Sequence, residues 1–85
     1  MIISATETIA RASKVITTED ELIVHLVDGR TIIVPLAWYP RLLNATAEQR
    51  TDYRLQEDGE YIHWPQVDED LTVAGLLRGD RAPGA

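Results

Sequence analysis

The sequence predicts a small α+β domain, with an antiparallel sheet of two hairpins plus an N-terminal strand and short helices on one side. Three observations carry that reading. Asp28-Gly29 and Asp58-Gly59 each sit between runs rich in β-branched, aromatic or aliphatic residues, the pattern of a hairpin turn. Thr46-Ala47-Glu48-Gln49 is a capping box that starts a helix. Leu71, Ala74, Leu76 and Leu77 have helical spacing and are followed by Gly79, a helix stop.

The elements follow in order. Residues 6–17 carry Thr6, Thr8, Ile9, Val15, Ile16 and Thr17, which favours a strand, and its small residues Ala10 and Ala12 suggest a close neighbour. Thr18 to Glu21 is polar and reads as a turn. The next hairpin can be given a register. A two-residue loop at Asp28-Gly29 splits the large apolar residues over both faces. A three-residue loop, Val27-Asp28-Gly29 with Gly29 left-handed, pairs Leu22 with Val34, Val24 with Ile32 and Leu26 with Arg30. It gathers Leu22, Val24, Leu26, Ile32 and Val34 on one face. A slip of one residue reverses every facing, so burial selects the three-residue loop. The opposite face then shows Ile23, His25, Thr31 and Ile33, which is too apolar to be left wholly to water.

Pro40 suits the first turn of a short helix anchored by Leu42 and Leu43. The capping box opens a second helix from Ala47 to Tyr53. Around Asp58-Gly59 a two-residue loop sets Leu55 opposite Ile62 and Tyr53 opposite Trp64. Asp68 or Asp70 is expected to cap a C-terminal helix, because carboxylates favour the positive end of a helix. Residues 1–79 form one domain in this reading, and 80–85 a flexible tail.

Composition excludes several functions. No Cys is present, which rules out disulfides and thiolate metal sites. Net charge is −6, and nucleic-acid binding needs clustered Lys and Arg, so direct contact with nucleic acid is not expected. No run approaches the ~20 apolar residues of a membrane span, and no secretory signal opens the chain, so a cytoplasmic protein is expected. The acidic balance suits a basic protein partner.

Two clusters are candidate sites. His63 with Asp68, Glu69 and Asp70 has the residue types of a divalent-metal or acid–base site, although the spacing matches no closed metal set. Read structurally, the carboxylates cap a helix and His63 is a packing residue beside Trp64. Trp38, Tyr39 and Arg41 are residue types enriched in binding hot spots, or else core anchors. Asp28-Gly29-Arg30 is turn chemistry, and Arg50 and Arg54 read as a solvated helix face. No nucleophile arrangement or phosphate loop is present, so no catalytic, cofactor or metal residue is assigned.

An ordered set of motifs adds a resemblance. Asp28-Gly29-Arg30, Val34-Pro35-Leu36, Trp38-Tyr39-Pro40-Arg41-Leu42, Ala45-Thr46, Glu48-Gln49-Arg50, Ile62-His63-Trp64-Pro65, Asp68-Glu69-Asp70-Leu71 and Gly75-Leu76-Leu77 resemble the domain of unknown function (DUF) 2442 family of small bacterial proteins over residues 10–79. The resemblance implies a small α+β domain. Some members carry an added helix-turn-helix. This chain stops before such an addition, so sequence-specific DNA binding is not expected. Short members are often encoded beside another small protein as a predicted toxin–antitoxin pair, which implies an antitoxin-like role. The expectation is a non-enzymatic module that masks a small co-encoded protein, a basic toxin. The alternatives are a self-associating accessory domain that forms a homodimer, and a small metal-dependent enzyme using His63 and the nearby acids.

Overall fold

Alternation of buried and exposed residues along each strand decides how this chain is layered. The computed structural model describes residues 9–82. Strands β1 (Ala12–Thr17), β2 (Glu21–Leu26) and β3 (Thr31–Pro35) form one antiparallel sheet in the order β1-β2-β3. A 3-10 turn at Leu36–Trp38 leads to helices α1 (Pro40–Leu43) and α2 (Ala47–Thr51). Strands β4 (Arg54–Gln56), β5 (Tyr61–Trp64) and β6 (Glu69–Thr72) form a second sheet, followed by helix α3 (Val73–Arg78). The α+β class is as read from the sequence, with the strands divided between two three-stranded antiparallel sheets.

The first hairpin has the register that burial demanded. Leu22 pairs with Val34 and Val24 with Ile32. Leu26 N–H donates to Arg30 C=O at 2.8 Å, and Gly29, at φ +99°, donates back to Leu26 C=O at 3.1 Å. Asp28 accepts the Arg30 backbone N–H, which holds its carboxyl below the ordinary carboxylate range. Leu22, Val24, Leu26 and Val34 are buried on one face. On the other, Ile16, Ile23 and Ile33 line up across the three strands, and Ile33 is 56% exposed.

β1 starts at Ala12, and residues 6–8 of the expected strand lie outside those described. The close approach foreseen there is real: a Cβ on Gly59 would come within 2.5 Å of the Ala12 carbonyl oxygen. Glu57 (φ 51°), Asp58 (φ 57°, ψ 31°) and Gly59 (φ 95°) are left-handed in succession, and Glu60 N–H to Glu57 C=O at 3.1 Å closes the turn in the register of a two-residue loop. Leu55 pairs with Ile62 as expected. Tyr53 does not join the ladder opposite Trp64. Its hydroxyl instead accepts the Val15 backbone N–H at 3.2 Å, tying the two sheets together.

The helices before β4 are positioned locally. Pro40 occupies the first turn of α1, and the Thr46–Gln49 capping box forms with both of its hydrogen bonds. Leu42 is fully buried, but Leu43 is 40% exposed and anchors little. Arg50 is half-buried rather than part of a solvated face. Its guanidinium donates to the Leu42 and Leu43 carbonyls, both at 2.8 Å, and so satisfies the open end of α1.

The C-terminal region departs from expectation. Asp68 and Asp70 cap no helix. Glu69–Thr72 is a strand that pairs with β5, with Trp64 opposite Glu69 and His63 opposite Asp70. Cross-strand hydrogen bonding and burial of Leu71 beside Ile62 override the helical spacing, and Asp68 takes φ 53° in the turn. The cap is Thr72, whose Oγ1 accepts Gly75 N–H at 2.9 Å; Gly79 at φ 83° ends the helix as read. Thr72→Ala should therefore cost about 1 kcal/mol in denaturant unfolding, while Asp68→Gly, which removes the carboxylate without straining the left-handed turn, should cost far less. Equal losses would contradict this assignment of the cap.

One core joins the parts. Ala12, Val15, Leu22, Val24 and Val34 of the first sheet meet Ile62 and Trp64 of the second, with Leu36, Tyr39, Leu42, Val73 and Leu76 between them. Trp64 is fully buried, and its Nε1 donates to Arg50 C=O at 3.0 Å.

Candidate functional site

The two candidate clusters, distant in sequence, are neighbours in the fold. Arg41 lies on α1 and donates through Nη1 to the backbone carbonyl of Asp68 in the β5–β6 turn. An open cleft of about 280 Å³ is lined by Tyr39 with Asp80, Arg81 and Ala82, by Glu69 to Thr72 of β6, and by Gly75 and Leu76 of α3.

Residues 80–82 are not a loose tail. Tyr39 donates its hydroxyl to the Asp80 carbonyl at 2.7 Å, and Ala82 N–H donates to Trp38 C=O at 3.1 Å. The Arg81 guanidinium stands 4.2 Å above the centre of the Trp38 ring, a cation–π contact. Arg78 pairs with Asp80 at 2.8 Å. Residues 83–85 lie outside those described. Asp80 and Arg81 join the site only through the fold. The only local hint is a cation just beyond the helix stop.

Most of the proposed hot spot is thereby used internally. Tyr39 is only 3% exposed, so its ring offers no area to a partner. Trp38 packs against the core and under Arg81. Burial raises the Tyr39 phenol above its usual range, and the charges of Asp80 and Glu69 add to the shift. The folded state thus favours the neutral phenol. Its stabilisation is complete below the unfolded value of about 10 and is lost as pH rises through the folded value. Tyr39→Phe should cost about 1 kcal/mol near neutral pH and should flatten the fall in stability above pH ~10. An unchanged alkaline slope would contradict this assignment.

His63 is on the outward face of the second sheet, in a cross-strand row with Arg54 and Asp70. Its Nδ1 lies 2.7 Å from Asp70 Oδ1, so an N–H there donates to the carboxylate and fixes the ring. Arg54 pairs with Asp52 at 3.2 Å. Asp52 also accepts from the Gln66 amide, which lowers its carboxyl below the ordinary range. Asp68 and Asp70 are exposed and Glu69 half-buried. His25 is on the first sheet, its Nδ1 3.0 Å from Thr31 Oγ1. Among the described residues no three His, Asp or Glu side chains are grouped to hold a metal ion. A His–carboxylate pair alone can orient a ring or exchange a proton.

The family model described as a protein of unknown function, DUF2442, matches residues 12–82. The chain belongs to this family. The match takes in Asp80 to Ala82, so this cleft-lining segment lies within the DUF2442 match. No curated protein matches the chain. It is similar to a crystal structure of a protein of unknown function from Rhodospirillum rubrum, at TM-score 0.74 and 27% identity, covering 88% of this chain and 93% of that one. It is also similar to a solution structure of an uncharacterized protein from Chromobacterium violaceum, at TM-score 0.72 and 21% identity, covering 87% of this chain and 70% of that one. The latter likeness concerns the fold alone. No helix among the described residues is long and apolar enough to cross a membrane.

Proposed function

We propose that this DUF2442 chain is a non-enzymatic protein-binding module, an antitoxin-like cytoplasmic partner that masks a small, basic, co-encoded protein. One observation carries the reading: every arginine is spent inside the molecule, while many acids are not. Arg11, Arg30, Arg54 and Arg78 pair with Asp58, Asp28, Asp52 and Asp80. Arg41 and Arg50 donate to backbone carbonyls, and Arg81 covers Trp38. Glu19, Asp20, Glu21, Glu48, Glu57 and Asp68 are exposed and take part in no ion pair among the described residues. The outward field is therefore negative, which steers and orients a basic protein.

The consecutive acids Glu19-Asp20-Glu21, at the β1–β2 turn, are the densest such stretch. Co-expression with the product of the adjacent gene tests the proposal. The expected result is co-purification and relief of that product's toxicity, both weakened by the triple variant E19K/D20K/E21K. Absence of a complex together with no rescue of growth would overturn it.

A further inference from the structure

Among the described residues the two sheets present four outer strands, and three of them are blunted. Unpaired backbone N–H and C=O groups at a sheet edge are a template for another strand, and proteins guard them with charge, bulges or cover. In the β2–β3 hairpin Leu26 N–H bonds to Arg30 C=O, so Val24–Ile32 and Leu22–Val34 are the other hydrogen-bonded pairs. On the far side Thr18 N–H bonds to Glu21 C=O, which directs the Val15 and Thr17 amides outward from β1. Tyr53 Oη takes the Val15 amide, the register is broken between Ala12 and Lys14, and Gly59 packs on Ala12. That edge is broken and mostly covered, with only the Thr17 amide left open on it. β4 has three residues, beginning with Arg54, and β6 has four, including Glu69 and Asp70. The Asp70 amide is taken by the Glu69 carboxylate at 3.0 Å.

β3 is different. Its five residues, Thr31-Ile32-Ile33-Val34-Pro35, carry no charge. The same alternation turns Ile32 and Val34 toward β2 and leaves Thr31 and Ile33 with N–H and C=O pointing outward. We propose that β3 is the seam through which two copies of this chain pair, antiparallel, about a two-fold axis at Ile32.

The edge itself selects this occupant and register. With Ile32 opposite Ile32 of the second copy, Thr31 faces Ile33 of the other chain, and each such pair exchanges two backbone hydrogen bonds. All outward N–H groups of the strand are then used. Centring on Ile33 would set Thr31 against Pro35, which has no N–H to give. The chain carries −6 and its copies repel, yet no two like charges meet across this seam: Arg30 falls opposite Val34, and the remaining pairs are uncharged. The row Ile16–Ile23–Ile33 then continues into Thr31 of the second copy. The two Ile33 side chains become diagonal neighbours about 7–8 Å apart, which removes exposed apolar surface from water.

Sedimentation velocity of the full chain over a concentration series reads the outcome, with amide hydrogen exchange locating the seam. The expected result is a species of twice the 9.5 kDa chain mass, with Thr31 and Ile33 amides protected more strongly at high than at low concentration. Ile33→Pro removes one outward N–H and no bond of the β2–β3 ladder. Ile33→Lys places a charge at the exposed seam. Both variants should run at the monomer mass with unchanged circular dichroism. A monomer throughout the series would overturn the proposal. So would a dimer whose Thr31 and Ile33 amides stay unprotected, or one that persists in Ile33→Lys. None of these readouts involves the co-encoded protein, so the masking proposal stands or falls separately.

Discussion

Trp64→Ala is expected to cost about 3–5 kcal/mol, the range for emptying a large aromatic site. Trp64 is fully buried where β5 meets α2, and its indole N–H satisfies the Arg50 carbonyl. Truncation leaves both a cavity and an acceptor without a partner. A domain of this size has a total stability of about 5–10 kcal/mol, so the variant should lose at least about a third of it. Arg50 also closes the end of α1, so the damage should spread to that helix. Trp64→Phe keeps most of the apolar contact, loses the hydrogen bond and should cost about 1–3 kcal/mol. Denaturant midpoints of the two variants check this order. Equal losses would mean that the cavity contributes nothing beyond the hydrogen bond.

Gly59→Ala should cost about 3 kcal/mol, and Gly29→Ala only about 1–2 kcal/mol. The backbone conformations are alike, with φ near +95° and +99°. The space around them is not. A Cβ on Gly29 meets nothing within 4 Å, whereas one on Gly59 lands 2.5 Å from the Ala12 carbonyl oxygen. That oxygen is backbone and cannot swing aside, so β1 must move. The displacement would also loosen the bond from the Val15 amide to Tyr53. Side-by-side unfolding of the two variants isolates the packing contribution from the conformational one. If Gly29→Ala proves as damaging as Gly59→Ala, the close approach of the two sheets is not tight.

What the sequence disclosed was what neighbouring residues decide. The split of Leu22, Val24, Leu26, Ile32 and Val34 from their neighbours determines one register, and the structure has it. The Thr46–Gln49 box needs only its own four residues. The region after Trp64 was harder to read because its strand is poor in β-branched residues. Glu69-Asp70-Leu71 favours a strand only once β5 lies beside it, and the acids there imitate a helix start. The true cap, Thr72 three residues before Gly75, was available in the sequence but masked by more conspicuous carboxylates. The docking of residues 80–82 was out of reach for a different reason. Tyr39 and Asp80 are 41 positions apart, and a contact of that range has no local pattern. For the same reason the sequence left Trp38, Tyr39 and Arg41 open between a binding surface and core anchors, and only tertiary contacts turn them inward or onto Asp68. His63 meets Asp70 of the three acids grouped with it in sequence, a contact that depends on β6 being a strand.

The affinity of the purified chain for the purified product of its neighbouring gene, followed over a salt series, decides whether the two proteins meet through charge. If uncommitted acids on this chain mask a basic face, binding should be tight at low ionic strength and fall steeply as the Debye length shortens from ~30 Å to below ~10 Å. The E19K/D20K/E21K variant should bind more weakly and with a shallower salt dependence. Absence of binding at low salt, or binding that ignores both salt and the charge reversal, would contradict the account.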